Sequence, residues 1–166
     1  SADVVITSGG VSVGEADYVK QLLDKLGEVV FWKIAMKPGR PLAYGRIGRA
    51  HFFGLPGNPA SVMVTFYQFV REALLILQGR TQIEPVPTFR ARLAAPLKKV
   101  PGRTEFQRGI LARAADGAWS VRTTGDQGSG ILSSMSQANC FIVLSERTGN
   151  LEAGADVEVQ PFEGLV

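Results

Sequence analysis

Three stretches of the chain concentrate groups that could hold an anion. The first, SGGVSVGEADYVK from Ser8 to Lys20, has glycines at 9, 10 and 14, then Glu15 and Asp17, then the start of a helical pattern. Glycines let the backbone take positive φ and approach a ligand, and successive N–H groups in such turns form concave nests that suit phosphate oxygens. The unpaired N–H groups of the helix that follows add to the attraction. Glu15 and Asp17 oppose it unless a divalent cation lies between them and the phosphate, the way Mg²⁺ binds through one or two carboxylates plus substrate oxygens. The alternative is that both carboxylates only complement the helix dipole. The spacing matches neither a dinucleotide-binding fingerprint nor a P-loop. The second stretch, GLPGNPAS, offers Pro56, Gly57, Asn58 and Pro59, with Asn58 a natural N-cap and Pro59 at the first helical position. The third group is basic: Lys33, Lys37 and Arg40 around one turn, and Arg108 in the segment Phe106-Gln107-Arg108-Gly109. Taken one by one, these cations read as solvated surface.

The elements that must position these groups follow from periodicity. Val4-Val5-Ile6 reads as a strand buried on both faces, so the glycine loop joins a strand's carboxyl end to a helix, the place where open α/β sheets bind ligands. Apolar residues at 19, 22, 23 and 26 continue that helix, which Gly27 ends. Glu28 to Ile34 reads as a strand and Lys37 to Pro41 as a turn. Leu42 to Ile47 and His51 to Leu55 form a strand pair around Gly48-Arg49. From Pro59 to about Gln78 the pattern predicts one helix, with Val62, Phe66, Phe69, Val70, Ala73, Leu74 and Leu77 on its core face and Gly79 as its stop.

Between Arg80 and Thr88 the character changes to short strands separated by glycine turns, and Pro85 and Pro87 interrupt the chain. The expected organisation is residues 1–82 as part of an α/β domain and 83–166 as a small, barrel-like all-β domain. Strands are expected at 89–94, 104–112, 119–123, 141–145 and 157–162, with a glycine-rich loop at 125–130 and a short helix at 131–138. A strand buried on both faces so close to Ser1 needs more neighbours than the following residues supply. We therefore expect a chain that continues N-terminally, and a piece that on its own exposes apolar surface and a free strand edge.

The 166 residues are 45% hydrophobic and 20% charged, ordinary globular composition that argues against disorder. Apolar runs fall short of a bilayer span, and no secretory signal is evident. A net charge of +3 is too small to argue for nucleic-acid binding. The single cysteine, Cys140, excludes an intramolecular disulfide, is compatible with a reducing cytoplasm, and reads as a buried small hydrophobe beside Phe141-Ile142-Val143. His51, inside an apolar strand signal, reads as structural.

Four ordered motifs, SGGVSVGEADYVK, FWKIAMKPGRPLAYG, GLPGNPAS and FQRG with QGSGILSSMSQAN, resemble the C-terminal half of the MoeA and gephyrin E-domain family, the molybdopterin molybdenumtransferases. The resemblance spans essentially the whole chain. It implies the C-terminal part of a three-layer molybdopterin-binding α/β domain followed by a small β-barrel-like domain. It implies Mg²⁺-dependent insertion of molybdenum from molybdate into adenylylated molybdopterin with release of AMP, by a cytoplasmic homodimer with no nucleic-acid or membrane partner. Gly9, Gly10, Ser12 and Gly14 would then line the pterin phosphate region, and Glu15 and Asp17 the metal and adenylate. Lys33, Lys37 and Arg40 would supply positive charge for phosphate or molybdate, Pro56 to Pro59 would shape the cleft wall, and Arg108 would reach the cleft from the β domain. The family carries further N-terminal parts, so this chain would hold a partial site and be inactive alone. Two alternatives remain: a non-catalytic scaffold of gephyrin type, and a molybdopterin adenylyltransferase, which would lack the β domain.

Overall fold

The computed structural model describes residues 2–9, 25 and 27–162. Two compact units emerge, residues 1–34 with 38–81, and residues 35–37 with 82–166. The three-residue excursion at 35–37 departs from the expected single boundary after residue 82.

In the first unit a sheet of four strands has the order β1-β5-β4-β2, where β1 is Val4–Ser8, β2 Gly27–Lys33, β4 Pro41–Ile47 and β5 Ala50–Leu55. The β4–β5 hairpin turns at Gly48, where φ is +60°, and β1 lies parallel to β5 with Val4 opposite His51 and Ser8 opposite Leu55. β1 is not buried on both faces as expected: Val4 and Val5 are half-buried and Ile6 is exposed, because among the described strands only β5 flanks it. His51 is held as a structural residue, its Nδ1 3.0 Å from the Tyr44 hydroxyl.

The expected helix is present, but it is not regular. α1, Pro59–Thr65, passes through a π-helical turn at Phe66–Val70 into α2, Arg71–Leu77. Thr65 Oγ1 donates to the carbonyl oxygens of Ser61 and Val62 at 2.7 and 3.0 Å, a back-bonding that bends helices. The wider π turn shifts the phase of the face that follows. Val64 and Val70 are fully buried, and Val62, Phe66, Ala73 and Leu74 pack on the sheet residues Leu42, Phe53 and Leu55. Phe69 and Leu77, expected in the core, are 36% and 45% exposed. Gly79, at φ +88°, ends the helix; its N–H and that of Arg80 bond back to the carbonyls of Ile76 and Leu75, a Schellman stop. Contrary to the sequence reading, Pro59–Leu77 is long and apolar enough to cross a bilayer by length and composition. One face of it, with Val62, Phe66, Val70, Ala73 and Leu74, packs on the sheet.

The second unit is a small closed barrel. β6 Phe89–Leu93, β7 Thr104–Arg113, β8 Trp119–Thr123, β9 Cys140–Leu144 and β10 Asp156–Pro161 follow one another around it in the order β7-β8-β6-β10-β9, and β9 pairs again with β7. A sixth strand, β3, consists of Met36–Lys37 and runs parallel to the start of β7. Alternation along the strands fills the interior with Ala91, Leu93, Val121, Cys140, Ile142, Leu144, Val157 and Val159. Burial pushes the Cys140 thiol up to about 12, which keeps it protonated and inert at neutral pH.

Gly109 on β7 lets the strands close. A Cβ there would lie 2.8 Å from Cys140 Sγ, 2.9 Å from Ile142 Cγ1 and 3.1 Å from Val121 Cγ2. Gly109→Ala is expected to destabilise the barrel by about 1–3 kcal/mol through overpacking, read as a lower urea midpoint. Pairing it with Cys140→Ala, which vacates the nearest atom, should recover part of the loss.

Candidate anion-binding site

β1 and β5 are parallel, and β2 runs the same way because both it and β5 are antiparallel to β4. The carboxyl ends of all three therefore emerge at one end of the first unit's sheet. After β1, Gly9 takes φ +85° and its N–H donates to the Leu55 carbonyl at 3.0 Å. After β5 come Pro56, which is buried, and Gly57, Asn58 and Pro59, which are exposed. The two loops touch, since a Cβ on Gly57 would lie 3.5 Å from Gly9 Cα. Asn58 occupies the N-cap of α1 in extended conformation, and its carbonyl accepts from the Val62 N–H at 2.9 Å. At the same sheet end, exposed Lys33 closes β2, and exposed Arg40 precedes β4, its carbonyl accepting from the Ile34 N–H at 2.8 Å. With strands about 4.8 Å apart, Lys33 and the Gly9 loop are separated by about 14 Å across β4 and β5. This rim combines a positive-φ glycine, a helix N-terminus and two cations, a combination suited to an extended anion.

Lys37 and Arg108 are placed otherwise than the sequence suggested. Lys37 lies not in the turn with Arg40 but in β3, opposite Glu105 of β7, so it belongs to the second unit. The local turn begins one residue later, with Gly39 at φ +97°. Arg108, expected to reach out into a cleft, is 1% exposed. Its Nε donates to Ser134 Oγ and its Nη2 to the Gly128 carbonyl, both at 2.9 Å. Gln127 clasps its backbone, accepting from the Arg108 N–H at 2.7 Å and donating to the Arg108 carbonyl at 3.2 Å. Burial lowers the Arg108 pKa from its ordinary value, and Asp126 opposes that shift. The physical reason for the correction is desolvation: a guanidinium off the surface needs fixed acceptors, and the 125–130 loop and helix α3, Leu132–Gln137, supply them. Arg108 therefore shapes the loop.

Gly10, Ser12, Gly14, Glu15 and Asp17 lie outside the described residues. Among the described residues no group of three His, Cys, Asp or Glu side chains could hold a metal. Sequence reasoning missed the buried polar residues Glu105, Gln107 and Lys99. Glu105 and Gln107 alternate along β7 in the way solvent-facing residues do, Lys99 lies between β6 and β7, and no local signal marks any of the three as interior.

Comparison with known proteins agrees with this architecture. Residues 1–75 match the family model described as a probable molybdopterin binding domain, and residues 90–162 match the MoeA C-terminal region, domain IV. The chain belongs to the MoeA family. It is 50% identical over 165 residues to a molybdopterin molybdenumtransferase of Haemophilus influenzae, covering 99% of this chain and 41% of that protein. It is 36% identical over 180 residues to gephyrin of Dictyostelium discoideum, covering 95% of this chain and 25% of that one. Among solved structures, the MoeA molybdopterin biosynthesis protein of Pyrococcus horikoshii superposes with a TM-score of 0.74 at 32% identity, covering 96% of this chain and 37% of its own. The chain thus spans about two fifths of the length of its bacterial relative. The architecture is the C-terminal part of a MoeA-like α/β domain followed by a small β-barrel domain. That barrel speaks against the adenylyltransferase alternative, which would lack it.

Proposed function

We propose that this chain is the C-terminal part of a molybdopterin molybdenumtransferase, which transfers molybdenum from molybdate to the dithiolene of adenylylated molybdopterin and releases AMP. The carrying observation is the identity of half its residues to an enzyme of that name over nearly the whole chain. The sheet end described above suits the chemistry. The positive-φ Gly9 and the N-terminus of α1 stand at this sheet end, with Lys33 about three strand spacings and Arg40 about two strand spacings from the Gly9 loop, distances suited to an extended ligand. Phosphoryl-type chemistry asks the protein mainly to align the attacking oxygen and to neutralise developing charge, so no side-chain nucleophile is required. Of the loop residues, Glu15 and Asp17 have the hard oxygen donors that Mg²⁺ accepts, and a bound Mg²⁺ would supply charge neutralisation at the phosphate. The working form is proposed to be a cytoplasmic homodimer that includes the family's N-terminal parts.

The test is cofactor formation by the longer protein from adenylylated molybdopterin, molybdate and Mg²⁺, with AMP measured alongside. Molybdate-dependent AMP release supports the reading. Binding without turnover under any of these conditions would favour the scaffold alternative instead. Lys33→Ala and Arg40→Ala are expected to raise the substrate concentration needed for half-maximal rate several-fold. Both side chains are exposed, and surface charge contributes at most about 1 kcal/mol, so the melting point should barely move. A fall in melting temperature with unchanged kinetics would make these cations structural.

A further inference from the structure

The rim cations Lys33 and Arg40 are joined by a loop whose tip does not stay with its own sheet. Lys33, the last residue of β2, stands opposite Pro41 of β4, and one step further on the Ile34 N–H donates to the Arg40 carbonyl at 2.8 Å. The two strands thus close as a hairpin around residues 35–39. The tip of that hairpin, Met36–Lys37, is β3, a strand of the barrel. It is seated there by backbone and side chains together. The Thr104 N–H donates to the Ala35 carbonyl at 3.0 Å, and Met36 and Lys37 lie parallel to Thr104 and Glu105. Met36 is 3% exposed, and Lys37 Nζ meets Oε1 of the buried Glu105 carboxylate at 3.4 Å.

Each rim cation is a short length of chain from this seat. Lys33 precedes Met36 and Arg40 follows Lys37 by the same few positions, a reach of at most about 11 Å. Both side chains are exposed, so the backbone of the hairpin decides where they stand. A short loop with Gly39 at φ +97° has much freedom of its own, and ordering it would oppose the capture of an anion. A tip already seated on the barrel removes that opposition before the ligand arrives. We propose that β3, held by Thr104 and Met36, is a clamp that positions Lys33 and Arg40 for the anion, so that the barrel steadies the rim through the chain itself. The proposal rests on the reading above that these two cations bind substrate, and it asks nothing of the Lys37 ammonium toward substrate.

The experiment measures kcat and KM for adenylylated molybdopterin in the longer protein. Thr104→Pro removes the N–H that holds the Ala35 carbonyl, at the first residue of β7, a place where strands accept proline. Thr104→Ala keeps that N–H and is the control. Thr104→Pro is expected to raise KM about fivefold with kcat within about twofold, and to add nothing in a Lys33→Ala/Arg40→Ala background. Thr104→Ala should leave both constants unchanged. If Thr104→Pro does not fold, Met36→Ala, which trims the buried anchor, takes its place, with Met36→Leu as the conservative control. A smaller active fraction with unchanged KM would make the contacts merely structural and overturn the clamp. So would an effect that adds to that of the cation variants, or a control as impaired as the variant it accompanies. If Lys33→Ala/Arg40→Ala raises KM but Thr104→Pro does not, the clamp falls and the reading of the two cations stands. If Lys33→Ala/Arg40→Ala leaves KM unchanged, that reading falls, and the clamp with it.

Discussion

Arg108→Ala is expected to lower the unfolding free energy by about 3–4 kcal/mol. The substitution removes two donors from a charged group, each such hydrogen bond contributing roughly 1.5–3 kcal/mol, and it empties a site where almost the whole side chain is buried. It also leaves the Gly128 carbonyl and the Ser134 hydroxyl without the guanidinium. Relief of the desolvation that depresses the Arg108 pKa offsets part of this, so the expected value lies below the simple sum. Urea unfolding of wild type, Arg108→Ala and Arg108→Met separates the contributions. Methionine refills volume without donors, so it should recover less than half of the loss. A change below about 1 kcal/mol in the alanine variant would mean that the loop at 125–130 holds its shape without Arg108.

Asp17→Asn is expected to reduce molybdenum insertion by the longer protein by about 100-fold or more, a loss typical of removing a group that stabilises developing charge. Asp17 lies outside the described residues, so this expectation comes from its chemistry and from the family resemblance. The amide keeps the shape of the carboxylate but loses the charge that a hard cation requires. Stability should change by no more than about 0.5 kcal/mol, as for most surface substitutions. The assay is molybdenum incorporation across a Mg²⁺ titration, with thermal unfolding in parallel. Activity near that of wild type at all Mg²⁺ concentrations would remove Asp17 from the site. A collapse of the melting temperature would make it a helix-capping residue of unusual weight.

Local patterns in the sequence predicted much of this structure where the determinants are themselves local. The Gly48-Arg49 turn between two apolar runs gives the β4–β5 hairpin, Asn58-Pro59 starts a helix, and Gly79 stops it. The glycine-rich and proline-rich loops that touch at Gly9 and Gly57 were recognisable because turn chemistry is written in residue type. What failed was non-local. Counting 3.6 residues per turn through Phe66–Val70 assumes a regular helix, and the π turn there moved Phe69 out of the core. Lys37 has the neighbours of a turn residue, and nothing nearby in sequence records that β7, nearly seventy positions away, would recruit it. Arg108 read as a solvent-facing cation because periodicity reports which face a side chain takes, and not what covers that face.

The loan of Met36 and Lys37 to β7 means that the barrel is not a separable cassette. A cut between Thr81 and Gln82, the natural place to part the two units, would release a barrel without β3. Glu105 would keep its burial and lose its cation, and the start of β7 would lose the strand that lies parallel to it. A gene rearrangement that moved residues 82–166 to another protein would have to supply a replacement for that edge. The same holds for deletion, since removing residues 82–166 would strand β3 with no strand to join. Interleaving of this kind ties the inheritance of the two units together.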